Sequence, residues 1–148
     1  MEIVKNRKAR FNYEIIEDHE AGISLVGSEV KSLRDKKVNL TDAYCTFRKN
    51  ELFMINCRIE PYDKAVTQFA PEPTRSRKLL MHRRELDRLK GKLQQKGWIM
   101  VPLKMYFKNN KVKVLVGVGK SKKKFDKRQT IKERDIKRET DREMKAYR

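Results

Sequence analysis

The chain has 148 residues, and its 38 lysine and arginine residues exceed its 20 acidic residues to give a formal net charge of +18 and a pI near 10.1. It contains no run of about 18 apolar residues and no apolar segment behind its basic N-terminus, which excludes a membrane-spanning helix and a secretory signal. We therefore expect a cytosolic protein without a membrane partner, and the positive charge indicates nucleic acid as a polyanionic partner. A basic surface that only maintains solubility is the alternative.

Composition divides the chain into a body and a basic tail. The body, residues 1–119, has 25 basic and 14 acidic residues, and the tail, residues 120–148, has 13 basic and 6 acidic residues. Large apolar side chains are too few in the tail to offset a chain-ordering entropy of about 1–2 kcal/mol per residue. We expect the tail to be disordered alone and to become helical on a partner, because residues four apart form charged rows. A solvated charged helix packed on the body is the alternative.

The first part of the body predicts a β-hairpin followed by a short helix. Residues 13–16 and 23–26 are strand-like and flank a polar turn that contains His19. Ser28 is expected to cap the helix, in which Glu29 either fixes a carboxylate among surface cations or forms an internal ion pair. The apolar side of this helix consists of Val26, Val30 and Leu33.

A second hairpin is predicted from residues 43–47 and 52–59, which a polar turn separates. Cys45 and Cys57 fall in these strands without a metal-binding spacing, so we expect buried free thiols. A proline-containing surface loop over residues 60–74 follows. Its aromatic side chains, which either stack on bases or fix the loop, are Tyr62 and Phe69.

Residues 75–96 predict an amphipathic helix, because leucines recur on one side at a spacing of seven. His82 falls on the same stripe, where a hydrogen-bonded histidine at the edge of a core is expected rather than a ligand or a base. Gly97 is expected to end the helix. The stripe consists of Leu79, Leu86, Leu89 and Leu93.

Residues 98–108 and 111–118 predict the clearest hairpin, because Asn109 and Asn110 tolerate the left-handed conformation of a tight turn. Alternation with period two gives it one apolar face and one basic face that includes an aromatic ring. The basic face suits a nucleic-acid platform on a small barrel, and edge-strand lysines that block aggregation are the alternative. The apolar face has Leu103, Met105, Phe107, Val112, Val114 and Val116, and the other face has Lys104, Tyr106, Lys108, Lys111, Lys113 and Leu115.

These elements together predict a mainly β, α+β fold, namely a small OB-like β-barrel of about six strands with two or three flanking helices and the disordered basic tail. The sequence has no phosphate-cradling glycine-rich loop, no nucleophile elbow, no acidic pair beside a histidine and no zinc spacing. We therefore expect neither enzymatic activity nor a metal or other cofactor.

Six short motifs follow one another along nearly the whole chain. They are Asn-Arg-Lys-Ala-Arg at 6–10, Glu-Ala-Gly-Ile at 20–23, Gly-Ser-Glu-Val-Lys-Ser-Leu-Arg at 27–34, Asn-Leu-Thr-Asp-Ala-Tyr at 39–44, Arg-Ser-Arg-Lys-Leu-Leu at 75–80 and Phe-Asp-Lys-Arg at 125–128. Each motif is weak alone, but in this order they are highly specific. Together they resemble the SsrA-binding protein family, also called small protein B, which binds tmRNA in ribosome rescue.

The resemblance implies an OB-like body that binds the tRNA-like part of tmRNA. It also implies a tail that enters the small subunit of a stalled ribosome, where codon and anticodon would otherwise pair. The implied partners are tmRNA and small-subunit rRNA, no bond-making chemistry is implied, and we expect a monomer. By position, the tmRNA-binding residues are Asn6, Arg7, Lys8, Tyr13, Glu20, Glu29, Lys31, Leu80 and Lys113, and the ribosome-binding tail residues are Lys124, Phe125, Asp126, Lys127, Arg128, Ile136 and Met144.

Some positions depart from the family pattern. Lys36 and Ser121 occupy places where relatives usually have glycine, so the resemblance implies a stiffer turn after Ser-Leu-Arg at 32–34 and a stiffer hinge before the tail. Phe125, where relatives often have Tyr or His, keeps a face for stacking on an rRNA base and loses a hydrogen bond. The alternative function is a general single-stranded RNA or ribosome-binding OB-fold protein, with a nuclease as a distant third.

Overall fold

The computed structural model describes residues 1–62 and 71–122, and within these ranges it has nine β-strands and three α-helices. The strands are β1 (Glu2–Lys5), β2 (Tyr13–Ile23), β3 (Val38–Asn39), β4 (Tyr44–Arg48), β5 (Glu51–Ile55), β6 (Arg58–Ile59), β7 (Arg77–Leu80), β8 (Trp98–Lys108) and β9 (Lys111–Ser121). The helices are α1 (Ala9–Asn12), α2 (Gly27–Arg34) and α3 (Arg83–Leu93).

Six of the strands in the described part of the chain close into a ring. Their order is β8–β4–β5–β7–β2–β9, and β9 pairs back with β8 to complete it. β1 also pairs with β8, and β3 pairs with β6 in a separate two-stranded sheet. The predicted mainly β architecture with flanking helices is therefore confirmed.

The interior of the ring is apolar because alternate residues of each strand point inward. Val114 and Val116 of β9 and Met105 of β8 are fully buried, and Leu33 of α2 and Leu89 of α3 join the same cluster. The helices thus cover the ring with apolar side chains, and the intervening strand residues are left facing outward.

The outer surface of β8 carries a second apolar cluster that packs against α1. The alternation predicted Leu103 on the same face as Met105, and this prediction is wrong. The pairing register of β8 shifts between Pro102 and Lys104, so Leu103 points outward and packs under α1. Gly117 leaves the necessary space, because a Cβ at that position would lie 2.9 Å from Leu103 Cδ1.

The first predicted hairpin is also wrong, because β2 is one strand of 11 residues. β9 supplies antiparallel partners from Tyr13 to Gly22, including the stretch that was expected to turn. His19 therefore lies in the strand, with its Nε2 atom 3.1 Å from the guanidinium of Arg88 on α3. Local composition favoured a polar turn, but pairing with a distant apolar strand outweighs it.

The short helix α2 is present where it was predicted, but its N-cap is Val26 rather than Ser28. The Glu29 carboxylate accepts a hydrogen bond of 3.1 Å from the Val26 N–H, which satisfies an amide at the start of the helix. Leu33 is buried as predicted, whereas Val26 is 44% exposed. After the helix, Lys36 has φ of 58°, the left-handed conformation that favours glycine.

The helix predicted over residues 75–96 is only half correct. Its first part is strand β7, which pairs with β5 and β2, and α3 begins after the exposed N-cap His82. Leu79 still reaches the core, but from a strand, so its spacing of seven to Leu86 was coincidental. Gly97 has φ of 86° in the turn before β8, beyond the end of the helix.

The β4–β5 and β8–β9 hairpins are confirmed. Each turn has two residues with positive φ: Lys49 and Asn50 at 49° and 69°, and Asn109 and Asn110 at 51° and 63°. The strand β9 continues through Ser121, two residues beyond the predicted limit of the body.

Cys45 and Cys57 are buried free thiols, as predicted. Burial raises the pKa of both thiols, that of Cys57 to about 11, so neither is a reactive thiolate at neutral pH. The strand predicted over residues 52–59 is interrupted, because β5 ends at Ile55 and Asn56 has φ of 60°. The chain then enters β6 in the smaller sheet.

Candidate RNA-binding surface

Four neighbouring strands bring sequence-distant residues into one outward row. Leu80 of β7 pairs with Gly22 of β2, which pairs with Lys113 of β9, which pairs with Tyr106 of β8. The residues that alternate with them in the same strands are buried in the core or packed against it, so this row points away from the core. Leu80 is 50% exposed, which is unusual for a large apolar side chain in a strand and suits a contact with a partner.

Glu20 lies beside this row, one outward position further along β2. Its Oε2 accepts a hydrogen bond of 2.5 Å from the Tyr106 hydroxyl, and both carboxylate oxygens lie 3.4 Å from Lys108 Nζ. The hydrogen bond from Tyr106 is the main cause of a lowered pKa of Glu20, to which Lys108 and Lys113 also contribute. Desolvation and Glu20 raise the pKa of Tyr106 to about 12, so the hydroxyl remains a donor at neutral pH.

Asn6 joins β1 to α1 and is held by two contacts with β8. Its backbone N–H donates to Leu103 O at 2.8 Å, and its Nδ2 donates to Pro102 O at 3.0 Å. The side chain is buried, and its Oδ1 has no hydrogen-bond partner among the described residues. These contacts fix the start of α1, where Arg7 and Lys8 are exposed.

A cleft of about 540 Å³ connects α1 to the outward side of β8 and β9. Its floor is apolar and its rim is cationic, which suits bases or sugars above and phosphates at the edge. Leu115 in this floor pairs with both Glu20 and Lys104, so the cleft and the outward row are continuous. The lining residues are Lys5, Asn6, Arg7, Arg10, Leu103, Lys104 and Leu115.

A smaller cleft of about 280 Å³ lies on the other side of α1 and is lined by Lys8, Tyr13 and the 44% exposed Tyr44. Tyr44 was not predicted as a site residue, whereas Lys104 of the larger cleft lies on the basic face that was predicted for nucleic acid. The strand alternation places Tyr44 next to the inward Cys45 and was a usable signal for an outward ring. No local sequence pattern indicated that α1 separates two clefts.

Glu29 differs from the other predicted contacts because it is internal. Its side chain is 2% exposed, and its carboxylate receives hydrogen bonds from Arg75 at 2.5 Å and from Arg77 at 2.7 Å. Burial alone would raise the pKa of Glu29, but hydrogen bonds from Arg75, the Val26 amide and Arg77 outweigh it and lower the pKa. This is the internal ion pair that the sequence left open, extended to a second arginine.

Lys31, on the same helix, remains exposed and lies 5.4 Å from the centre of the Tyr62 ring. The preceding residue of the same helix, Val30, lines a cleft together with Leu80 and Lys113. The remaining predicted residues lie outside the described ranges; these are Phe69, Lys124, Phe125, Asp126, Lys127, Arg128, Ile136 and Met144.

No group of three or more His, Cys, Asp or Glu side chains within residues 1–62 and 71–122 could hold a metal ion. None of the described helices is long and apolar enough to cross a membrane.

The chain is similar to known proteins over nearly its whole length. A family model described as "SmpB protein" matches residues 3–146. The SsrA-binding protein of Trichodesmium erythraeum (strain IMS101) is 52% identical over 145 residues, covering 98% of this chain and 93% of the relative. The SsrA-binding protein of Anaeromyxobacter sp. (strain Fw109-5) is 51% identical over 146 residues, covering 99% and 88%.

A solved structure described as "tmRNA-SmpB: a journey to the center of the bacterial ribosome" contains a chain with 48% sequence identity and a TM-score of 0.68. The match covers 84% of this chain and 87% of that chain. The OB-like fold class and the resemblance seen in the six motifs are therefore confirmed. The family model and the relatives agree over nearly all residues, and the chain belongs to the SmpB family of SsrA-binding proteins.

Proposed function

We propose that this protein binds the tRNA-like part of tmRNA and brings it to stalled ribosomes for trans-translation. Family membership supports the partner, since the relatives are SsrA-binding proteins and the similar solved chain belongs to tmRNA-SmpB on the bacterial ribosome. The structural observation that carries the proposal is the outward row. Together with Glu20 beside it, this row brings Leu80 and Lys113 onto one outward surface of three strands.

The chemistry of this surface suits a folded RNA. Lys113 and the cations around the larger cleft attract phosphates, while Leu80 and the Tyr106 ring offer apolar and aromatic contacts to bases. Glu20 repels phosphate and accepts hydrogen bonds, so the surface is more than a uniformly basic patch. A surface that combines these groups favours one RNA shape over others.

The same structure supports a different role for Glu29. Its carboxylate is held by two arginines inside the protein, so we assign it to the support of α2 and not to direct contact with RNA. Lys31 is exposed on that helix and remains a candidate phosphate contact.

The tail from Lys123 onward is proposed to be the part that acts on the ribosome. Its sequence provides Lys124, Lys127 and Arg128 for phosphates of rRNA, and Phe125 for stacking on a base. Ile136 and Met144 lie eight residues apart and would share one side of a helix formed on the ribosome. The protein acts by binding, without a catalytic step of its own, and in the cytoplasm where ribosomes translate.

Competition between RNAs tests the proposed partner. The labelled tRNA-like domain of tmRNA is bound to the full chain and challenged with the same domain, bulk tRNA or single-stranded RNA at matched salt concentration. We expect the unlabelled domain to compete at a far lower concentration than the other two RNAs. Equal competition by all three would contradict the proposal and favour a general RNA-binding protein.

Removal of the tail tests the division between body and tail. The truncation should retain Lys122 and end there, because Lys120 and Ser121 pair with Trp98 and Tyr13 inside the sheet. We expect this variant to bind the tRNA-like domain nearly as tightly as the full chain and to lose tagging on stalled ribosomes. Loss of most affinity for the domain would show that the tail belongs to the tmRNA-binding surface.

A further inference from the structure

The contact between Tyr106 and Glu20 has an arrangement that simple charge attraction does not explain. A carboxylate beside free lysines normally forms charge-assisted hydrogen bonds of about 2.7–2.9 Å. Lys108 Nζ instead lies 3.4 Å from both oxygens of Glu20, while the neutral Tyr106 hydroxyl donates at 2.5 Å. The hydroxyl therefore sets the orientation of the carboxylate, and the ammonium group is the looser partner.

Tyr106 is itself fixed from two sides. Its backbone pairs with Lys113 of β9 in the β8–β9 hairpin and with Glu2 of β1. Lys104 Nζ lies 5.5 Å from the centre of its ring, a cation–π distance. A tyrosine held by backbone pairing and by a cation on its ring is a rigid support for the Glu20 carboxylate.

The held carboxylate retains acceptor capacity. An ionised carboxylate accepts about four hydrogen bonds, and the Tyr106 hydroxyl occupies one position on Oε2. Lys108 Nζ makes only long contacts of 3.4 Å with the two oxygens, and the Glu20 side chain is 36% exposed, so the carboxylate remains accessible from solvent. RNA phosphates have no donors, whereas base amino and imino groups and the ribose 2′-hydroxyl do, so the carboxylate can accept only from bases or sugars.

We propose that Tyr106 is a positioning residue that holds the Glu20 carboxylate away from Lys108 and presents it to a hydrogen-bond donor on a base or ribose of the bound RNA. This gives a phosphate-attracting surface one contact that selects RNA shape and base exposure. The inference rests on the proposed function and adds to it a positioning role for the Tyr106 hydroxyl and a type of contact with the RNA. Without the hydroxyl, the carboxylate forms ion pairs with the neighbouring ammonium groups. Neither the carboxylate nor those ammonium groups is then available to bind the RNA.

A double-mutant cycle tests the proposal. Affinities for the tRNA-like domain and for a single-stranded RNA of equal length are measured with the full chain and with Tyr106→Phe, Glu20→Gln and both changes together. Tyr106→Phe keeps the ring over Lys104 and removes only the hydroxyl. We expect each single variant to bind the domain about tenfold more weakly, and the double variant to be no weaker than Glu20→Gln alone. Binding of the single-stranded RNA should change less than twofold, because phosphate contacts dominate there.

The matched control is Tyr147→Phe, which removes a hydroxyl in the tail and should leave the affinity for the domain unchanged. Thermal unfolding of each variant separates a positioning role from a loss of fold. Additive losses in the double variant, or wild-type affinity of Tyr106→Phe, would overturn the inference even if the domain is bound selectively. Failure of the proposed function would look different, because the unmodified chain would then show no preference for the domain.

Discussion

Two glutamates of this protein lie among cations in opposite environments. Glu29 on α2 is 2% exposed, and its carboxylate is bonded by Arg75 and Arg77. Glu20 on β2 is 36% exposed and is oriented by a tyrosine hydroxyl, with Lys108 further away at 3.4 Å. Glu29 joins α2 to the chain around β7, whereas Glu20 belongs to the outer surface of β2, β9 and β8.

The difference shows that a glutamate stabilises the fold or contacts a partner depending on which groups occupy the hydrogen-bond acceptor positions of its carboxylate. The oxygens of Glu29 are fully engaged by guanidinium groups and by a helix amide, so they contribute to stability. Glu20 has open acceptor positions, so it contributes to recognition. Changes at Glu29 should therefore lower stability, and changes at the outward surface should lower RNA affinity.

The largest effect is expected from Glu29→Ala, which leaves the buried Arg77 guanidinium without its counter-ion. Breaking a buried pair from one side costs about 3–5 kcal/mol of the free energy of unfolding. Glu60→Ala is the matched control, because Glu60 pairs with Arg58 at 2.6 Å with 46% of its side chain exposed, and such pairs contribute about 0–1 kcal/mol. Urea unfolding measures the stability of both variants. Equal losses would contradict the assignment of Glu29 to the stability of the fold.

Part of the stabilisation that Glu29 contributes to the folded state should be lost in acid. The pKa of Glu29 is lower in the folded chain than its ordinary value of 4.5, so its stabilisation is complete above about pH 4.5 and is lost as the pH falls through the folded pKa. The difference in unfolding free energy between the unmodified chain and Glu29→Gln should be constant near neutral pH and shrink below pH 4.5. A difference that persists unchanged in acid would mean that the carboxylate charge is not what stabilises α2.

Lys113→Ala should affect binding and leave the fold intact. Loss of one phosphate contact weakens binding to the tRNA-like domain and reduces the slope of log affinity against log salt concentration by about 1. Lys96→Ala removes an exposed lysine outside the outward row and should leave the slope unchanged. The thermal unfolding temperature of Lys113→Ala should match that of the unmodified chain. A large decrease would show that Lys113 stabilises the fold.

The smallest effect is expected at the turn after α2. Lys36 adopts a left-handed conformation, with φ of 58°, that glycine adopts without steric cost. Lys36→Gly should raise the free energy of unfolding by about 0.5–1 kcal/mol, since relief of this cost exceeds the added entropy of the unfolded chain. Lys31→Gly, inside α2, should lower it by about 1 kcal/mol. A loss of stability in Lys36→Gly as large as that in Lys31→Gly would indicate that the turn carries no strain.

Sequence patterns predicted an element correctly where the residues that determine it are close together in the sequence. The two confirmed hairpins depend on turns of two residues, and Asn109 and Asn110 adopt the left-handed conformation that their type predicted. The first predicted hairpin and the first half of the long helix failed for the opposite reason. The strands β2 and β7 exist because distant strands pair with them, and no local composition encodes those partners.

The sequence alone determined the family, the excess of positive charge, the mainly β class and the two hairpins with local turns. Only the tertiary structure decided which of the matched residues are exposed. Glu29 is buried because Arg75 and Arg77, 46 and 48 residues away, enclose it, and Glu20 is presented by Tyr106, 86 residues away. A charge pattern along the chain cannot distinguish these cases, because burial and hydrogen bonding depend on neighbours that only folding brings together.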